Sequence, residues 1–155
     1  MQFWKTGKVL AVSSPGGHWV QLNKIANKLE NKYPVVYASP CSQYALKKNQ
    51  QRIVHNIFDV SADNKYMLLP LAMQMLYLLL KERPQTILST GAAPGVVAVM
   101  LGKLLGIKTI WVDSIANVQQ LSRSGRMIKR HADVVITQWE SLSDGKTVLH
   151  QGSVL

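Results

Sequence analysis

The chain has 155 residues, 47% of them hydrophobic, which suffices for one well-buried domain and not two and predicts a globular core rather than disorder. Its single cysteine, Cys41, excludes a disulfide framework and a cysteine-based metal site, and His18, His55, His131 and His150 lack metal-ligand spacing, so no metal is expected. Eighteen Lys and Arg against eight Asp and Glu give a net charge of +10, which attracts anions, but the basic residues are scattered and form no RNA-binding signature, so nucleic acid is not the expected partner.

Residues 1–8 hold too short an apolar run for a signal peptide, and the expected compartment is reducing and cytoplasmic. The first predicted strand covers 8–13. The turn Ser13-Ser14-Pro15-Gly16-Gly17-His18-Trp19 follows it and leads into a helix over 19–31. A strand, glycine turn and helix in this order aim backbone N–H groups and a helix N-terminus at an anion, usually a phosphate. A second strand over 35–39, a helix over 43–49 and a third strand over 52–58 come next. The second strand ends in Ala38-Ser39-Pro40-Cys41, with no ribose-binding acid. The chain also lacks Gly-x-Gly-x-x-Gly spacing in the first turn and any Gly-Lys-Ser or Gly-Lys-Thr, which excludes a dinucleotide site and a P-loop.

The apolar run from Met67 to Leu80 is bounded by Lys65 and by Lys81-Glu82-Arg83, and a helix is predicted over 69–83. A helix needs roughly 20 residues to span a bilayer. The run is shorter, so two readings stand: a buried crossover helix, or a helix lying in the membrane interface through Met67, Leu68, Leu71, Met75, Leu78 and Leu79. Phe3-Trp4-Lys5 is either a further aromatic-basic anchor or a frayed end.

A strand over 86–89 leads into a second glycine turn, Thr90-Gly91-Ala92-Ala93-Pro94-Gly95, with Pro94 suited to a first helical turn and a helix over 96–105. A strand over 108–112, a helix over 118–131 and a strand over 134–137 complete the alternation. The tail, 147–155, is either a last strand or a segment docked elsewhere.

Alternating strands and helices predict a single α/β domain over 1–155, a Rossmann-like parallel sheet with helices on both faces. Ligands of such sheets bind beyond the carboxyl ends of the strands. Those ends carry Ser13 and Ser14, Ser39, Ser89 with Thr90, Asp113 with Ser114, and Thr137 with Gln138. Two glycine turns on that edge point to a phosphorylated ligand.

Four blocks give the chain a family resemblance: Ser13-Ser14-Pro15-Gly16-Gly17-His18, Ser89-Thr90-Gly91-Ala92, Ile110-Trp111-Val112-Asp113-Ser114, and Ala132-Asp133 through Gln138-Trp139-Glu140. Together they resemble the acceptor-side, membrane-associated subunit of two-subunit GT-B glycosyltransferases. That family includes the anchoring subunit of the dolichol-linked UDP-N-acetylglucosamine transferase and bacterial subunits of capsule and exopolysaccharide assembly. The resemblance implies the N-terminal half of a GT-B enzyme, inactive alone, on the cytoplasmic face of the membrane as a peripheral or monotopic protein. A separate donor-binding subunit would hold the UDP-sugar, this chain would hold a polyprenyl-diphosphate-linked saccharide, and the sugar would transfer with inversion and without a cofactor. A non-catalytic membrane recruiter is the alternative.

By the same resemblance, His18 and Asp113 are the candidate catalytic residues. Ser14, Gly16, Gly17, Thr90, Gly91 and Ser114 are the candidate ligands of the acceptor diphosphate. An imidazole suits proton abstraction near neutral pH. Many relatives carry Glu where Asp113 stands and Arg where Asn117 stands, and Glu140 is either structural or faces the partner.

Overall fold

A computed structural model of the protein describes residues 7–40, 52–60 and 64–153. Among them are seven strands: β1 (Val9–Val12), β2 (Val35–Ser39), β3 (Ile53–Asn56), β4 (Thr86–Ser89), β5 (Lys108–Val112), β6 (Val134–Thr137) and β7 (Val148–His150). They form one parallel sheet in the order β3-β2-β1-β4-β5-β6-β7. The chain moves outward from β1 in one direction, then returns to add β4 on β1's other side. Between β1 and β4 the connections leave in opposite directions, and crevices open at such a switch point.

Among the described residues four α-helices connect these strands: α1 (Gly17–Leu29), α2 (Leu68–Glu82), α3 (Ala92–Leu104) and α4 (Arg123–Ile128). Strand side chains alternate between the faces of the sheet. Leu10, Val12, Ile87, Trp111 and Val135 meet Leu71, Met75, Leu78 and Leu79 of α2, Ala98 and Val99 of α3, and Ile128 of α4. On the opposite face Val9, Ala11, Tyr37, Leu88 and Ile110 meet Leu22 and Ala26 of α1. The predicted α/β architecture with helices on both faces is the observed one. The helix expected over 43–49, Cys41 and the Phe3-Trp4-Lys5 segment lie outside the described residues.

Two helix boundaries differ from the sequence reading, and the tail takes one of its two expected forms. The helix expected over 118–131 forms only at Arg123–Ile128. Ser122 caps it, its Oγ accepting the Gly125 N–H at 2.8 Å, and a capped N-terminus fixes where a helix starts. α3 begins at Ala92, directly after the second glycine turn, so Pro94 stands in its first turn. The tail becomes β7, paired with β6.

α2 combines the two readings of the 67–80 run and reverses its predicted outward face. Leu71, Met75, Leu78 and Leu79, expected at a membrane interface, are instead core residues, at most 4% exposed. Met67 is half-buried and Leu68 exposed. The side facing away from the sheet presents Leu69, Met73, Tyr77 and Leu80, between 56% and 70% exposed. Among the described residues no helix is long and apolar enough to cross a membrane.

Glu82 fastens the end of α2 to the sheet. Lys8 Nζ donates to Oε2 at 3.0 Å and His55 Nε2 to Oε1 at 2.9 Å. The Lys8 hydrogen bond first, then that of His55, holds the Glu82 carboxyl below its ordinary 4.5 against the opposing effect of burial. A depressed carboxyl stabilises the fold fully above its unfolded pKa and loses that contribution as pH falls through the folded value. The stability gap between the native chain and Glu82→Gln, measured from urea transitions, is therefore expected to be full near neutral pH and to shrink as pH falls below 4.5.

Candidate functional site

The two glycine turns meet at the switch point. After β1 the chain runs through the buried Ser13 and the half-buried Ser14 to Gly16, whose φ of +79° lies in the region that favours glycine. A Cβ on Gly16 or Gly17 would meet nothing within 4 Å, so this turn faces open space. Gly16 is the N-cap of α1 and supplies no capping side chain, which leaves first-turn N–H groups available to an outside acceptor. The turn after β4 repeats the design: Gly91, with φ +139°, is the uncapped N-cap of α3. Two helix N-termini, each with its partial positive charge, thus lie on one edge.

His18 joins the turns. Its Nδ1 donates to the Thr90 carbonyl at 2.9 Å, while Thr90 Oγ1 donates to the His18 carbonyl at 2.8 Å. Gly91 lies against the imidazole, and a Cβ there would fall 2.6 Å from the ring's Cε1 and Nδ1. Thr90 and Gly91, expected to bind diphosphate, are both buried and engaged with His18. The open part of the edge belongs to Ser14, Gly16 and Gly17.

Asp113 lies on the same edge, at the end of β5, but its carboxylate is turned inward and only 2% of the residue is exposed. Oδ1 accepts from Trp111 Nε1 at 3.1 Å and from Ser122 Oγ at 2.5 Å, and Oδ2 accepts from the Ser122 N–H at 2.7 Å. Gly125 leaves room for it, since a Cβ there would stand 2.5 Å from Oδ1. Asp113 therefore anchors the 114–122 loop and the start of α4. Ser114 is half-buried and its Oγ accepts the Ala116 N–H at 3.3 Å within the same loop.

Gln21 connects this loop to α1 and was not singled out from the sequence. It lies one turn after His18 on the same face of α1. Its Nε2 donates to the Asp113 carbonyl at 3.0 Å and its Oε1 accepts the Ile115 N–H at 3.3 Å. Trp139 Nε1 donates to the Ile115 carbonyl at 2.8 Å. The i, i+3 spacing of His18 and Gln21 was the available signal for this link. This edge is thus bordered by a fixed histidine, an open glycine turn and a loop tethered from three elements. Among the described residues no three His, Cys, Asp or Glu side chains group as metal ligands.

Comparison with known proteins matches residues 60–153 to the family described as "Oligosaccharide biosynthesis protein Alg14 like". A curated relative from Cryptococcus neoformans var. neoformans serotype D (strain JEC21 / ATCC MYA-565), named UDP-N-acetylglucosamine transferase subunit ALG14, is 36% identical over 79 residues, 46% of this chain and 34% of that protein. One of the same name from Candida albicans (strain SC5314 / ATCC MYA-2876) is 41% identical over 70 residues, 41% of this chain and 32% of that protein. The match thus spans about a third of these relatives' length. Among solved structures, Acinetobacter baumannii MurG superposes with a TM-score of 0.75 over 95% of this chain and 46% of its own, at 13% identity. The UDP-N-acetylglucosamine 2-epimerase of Rickettsia bellii gives 0.71 over 97% and 46%, at 17% identity. At such identities the likeness is one of fold, that of the Rossmann-like N-terminal half of a GT-B glycosyltransferase.

Proposed function

Because the chain belongs to the Alg14-like family of oligosaccharide biosynthesis proteins, we propose that it is the acceptor-binding subunit of an inverting glycosyltransferase that acts on a polyprenyl-diphosphate-linked saccharide. The observation that carries this reading is the pair of uncapped helix N-termini at the switch point with His18 fixed between them. The N–H groups at Gly16 and Gly17, with Ser14 and Ser114 beside them, hold the acceptor diphosphate. A donor-binding partner presents the UDP-sugar, and the curated relatives' name makes UDP-N-acetylglucosamine the first donor to assay. The acceptor hydroxyl oxygen attacks the anomeric carbon, its bond to the departing UDP breaks, and His18 takes the hydroxyl proton. Diphosphate binding away from the reacting carbon positions the hydroxyl for attack. Asp113 contributes by holding the neighbouring loop in place.

The outer face of α2 seats the subunit on the membrane surface where its lipid-linked acceptor resides. Leu69, Met73, Tyr77 and Leu80 form an exposed apolar stripe, and Met100 and Leu104 of α3, which packs against α2, stand exposed as well. Apolar patches on this scale mark interaction surfaces. Lys65, Lys81 and Arg83 flank the stripe, as suits anionic headgroups.

The test is co-expression with the donor-binding chain, followed by transfer from UDP-N-acetylglucosamine to a polyprenyl-diphosphate glycan in phosphatidylglycerol-containing vesicles. Transfer that needs both chains supports the reading. A donor-binding chain that transfers equally well alone overturns it. In the same vesicles, Met73→Glu combined with Tyr77→Glu is expected to lower the bound fraction by about tenfold or more with the thermal transition unchanged. Undiminished vesicle binding removes α2 as the membrane face.

A further inference from the structure

We infer that Thr90 is a positioning residue that fixes which nitrogen of His18 is free to take a proton. This rests on the proton-acceptor role proposed for His18, but its central observable is independent of transfer. A carbonyl oxygen can only accept, so the 2.9 Å contact requires the proton of neutral His18 to sit on Nδ1, leaving the lone pair on Nε2. Thr90 supplies that carbonyl, and its hydroxyl holds the carbonyl in place by bonding back to the His18 main chain at 2.8 Å. The two contacts close a ring between residues 72 apart in sequence. Gly91 completes the seat, because only a residue without a Cβ leaves the ring its place against the turn.

This assignment gives Thr90 a different task from that of a phosphate ligand. The residue is fully buried, and its hydroxyl proton and carbonyl are both committed to His18. In serine proteases a carboxylate holds the base's tautomer, and losing that control costs heavily in rate. Here a main-chain carbonyl does the same work without adding a negative charge beside the acceptor diphosphate.

Nitrogen-15 NMR of histidine-labelled protein reads the tautomer directly, with the His18 signal assigned by its loss in His18→Gln. In the native chain at a pH where the ring is neutral, Nδ1 is expected to carry the proton and Nε2 to be bare. Thr90→Val removes the hydroxyl at similar volume and is expected to let the two tautomers mix, whereas Thr90→Ser keeps the native pattern. In the reconstituted enzyme Thr90→Val is expected to lower kcat about tenfold, with acceptor KM nearly unchanged. A bare Nδ1 in the native chain overturns the inference. So does a native tautomer in Thr90→Val, or a change confined to acceptor KM, which would mark Thr90 as a diphosphate ligand instead. An enzyme that shows no transfer but a fixed Nδ1–H tautomer overturns the functional reading and leaves the tautomer assignment standing.

Discussion

Replacing His18 with alanine is expected to lower sugar transfer by the reconstituted two-chain enzyme by about 10²-fold or more, while the complex still assembles. A positioned general base contributes about 10²- to 10⁴-fold, and His18 is the titratable side chain set between the two uncapped helix N-termini. The substitution removes the ring but leaves the first glycine turn intact, because neither Gly16 nor Gly17 rests on it. Steady-state transfer rates at saturating acceptor, with co-purification of the partner as the control, decide the matter. Turnover at the native rate would strip His18 of its chemical role and make the chain a membrane recruiter for its partner.

The second large effect concerns stability. Asp113→Ala is expected to cost about 3 kcal/mol or more of unfolding free energy, because hydrogen bonds to a charged group contribute about 1.5–3 kcal/mol each and the buried donors left behind are costly. Three donors lose their acceptor at once: the indole N–H of Trp111 and both the N–H and hydroxyl of Ser122. Ser122 in turn caps α4, so the loss propagates to the 114–122 loop and the short helix behind it. Asp113→Glu is no remedy, since Gly125 packs against Oδ1 and leaves no space for a further methylene. Urea denaturation of the free subunit measures the cost. A variant as stable as the native chain but slow in transfer would reverse the assignment and make the carboxylate the reacting base.

Both substitutions fall on residues that the sequence had marked, yet the structure gives the two different work. His18 and Asp113 end up on one edge, as parallel topology predicts for residues that follow β1 and β5, and Gln21, one turn after His18 on α1, bonds the Asp113 main chain. Whether a strand-end acid points into a cleft or back into the protein depends on what stands behind it. Here Trp111, Ser122 and Gly125 draw Asp113 inward, and only Trp111 is close to it in sequence. The 118–131 segment shows the same limit. Its composition permits a helix throughout, and the helix begins at Ser122 because that residue is held by a carboxylate from another element.

The alternation of strands and helices, the parallel sheet and the edge on which chemistry would gather were all legible in the order of the residues. Those follow from short-range causes: the alternation of apolar strands with helical stretches, and glycines where a turn needs positive φ. Only the tertiary structure decided that Thr90 holds His18, that Asp113 is a tether and that α2 turns Leu69, Met73, Tyr77 and Leu80 outward. Leu71, Met75, Leu78 and Leu79 share one helical face in the sequence, but whether that face met a membrane or the sheet was set by the strands and helix it packs against. Contacts between residues 72 apart, or between one helix face and a sheet, are properties of the packed chain and leave no local trace.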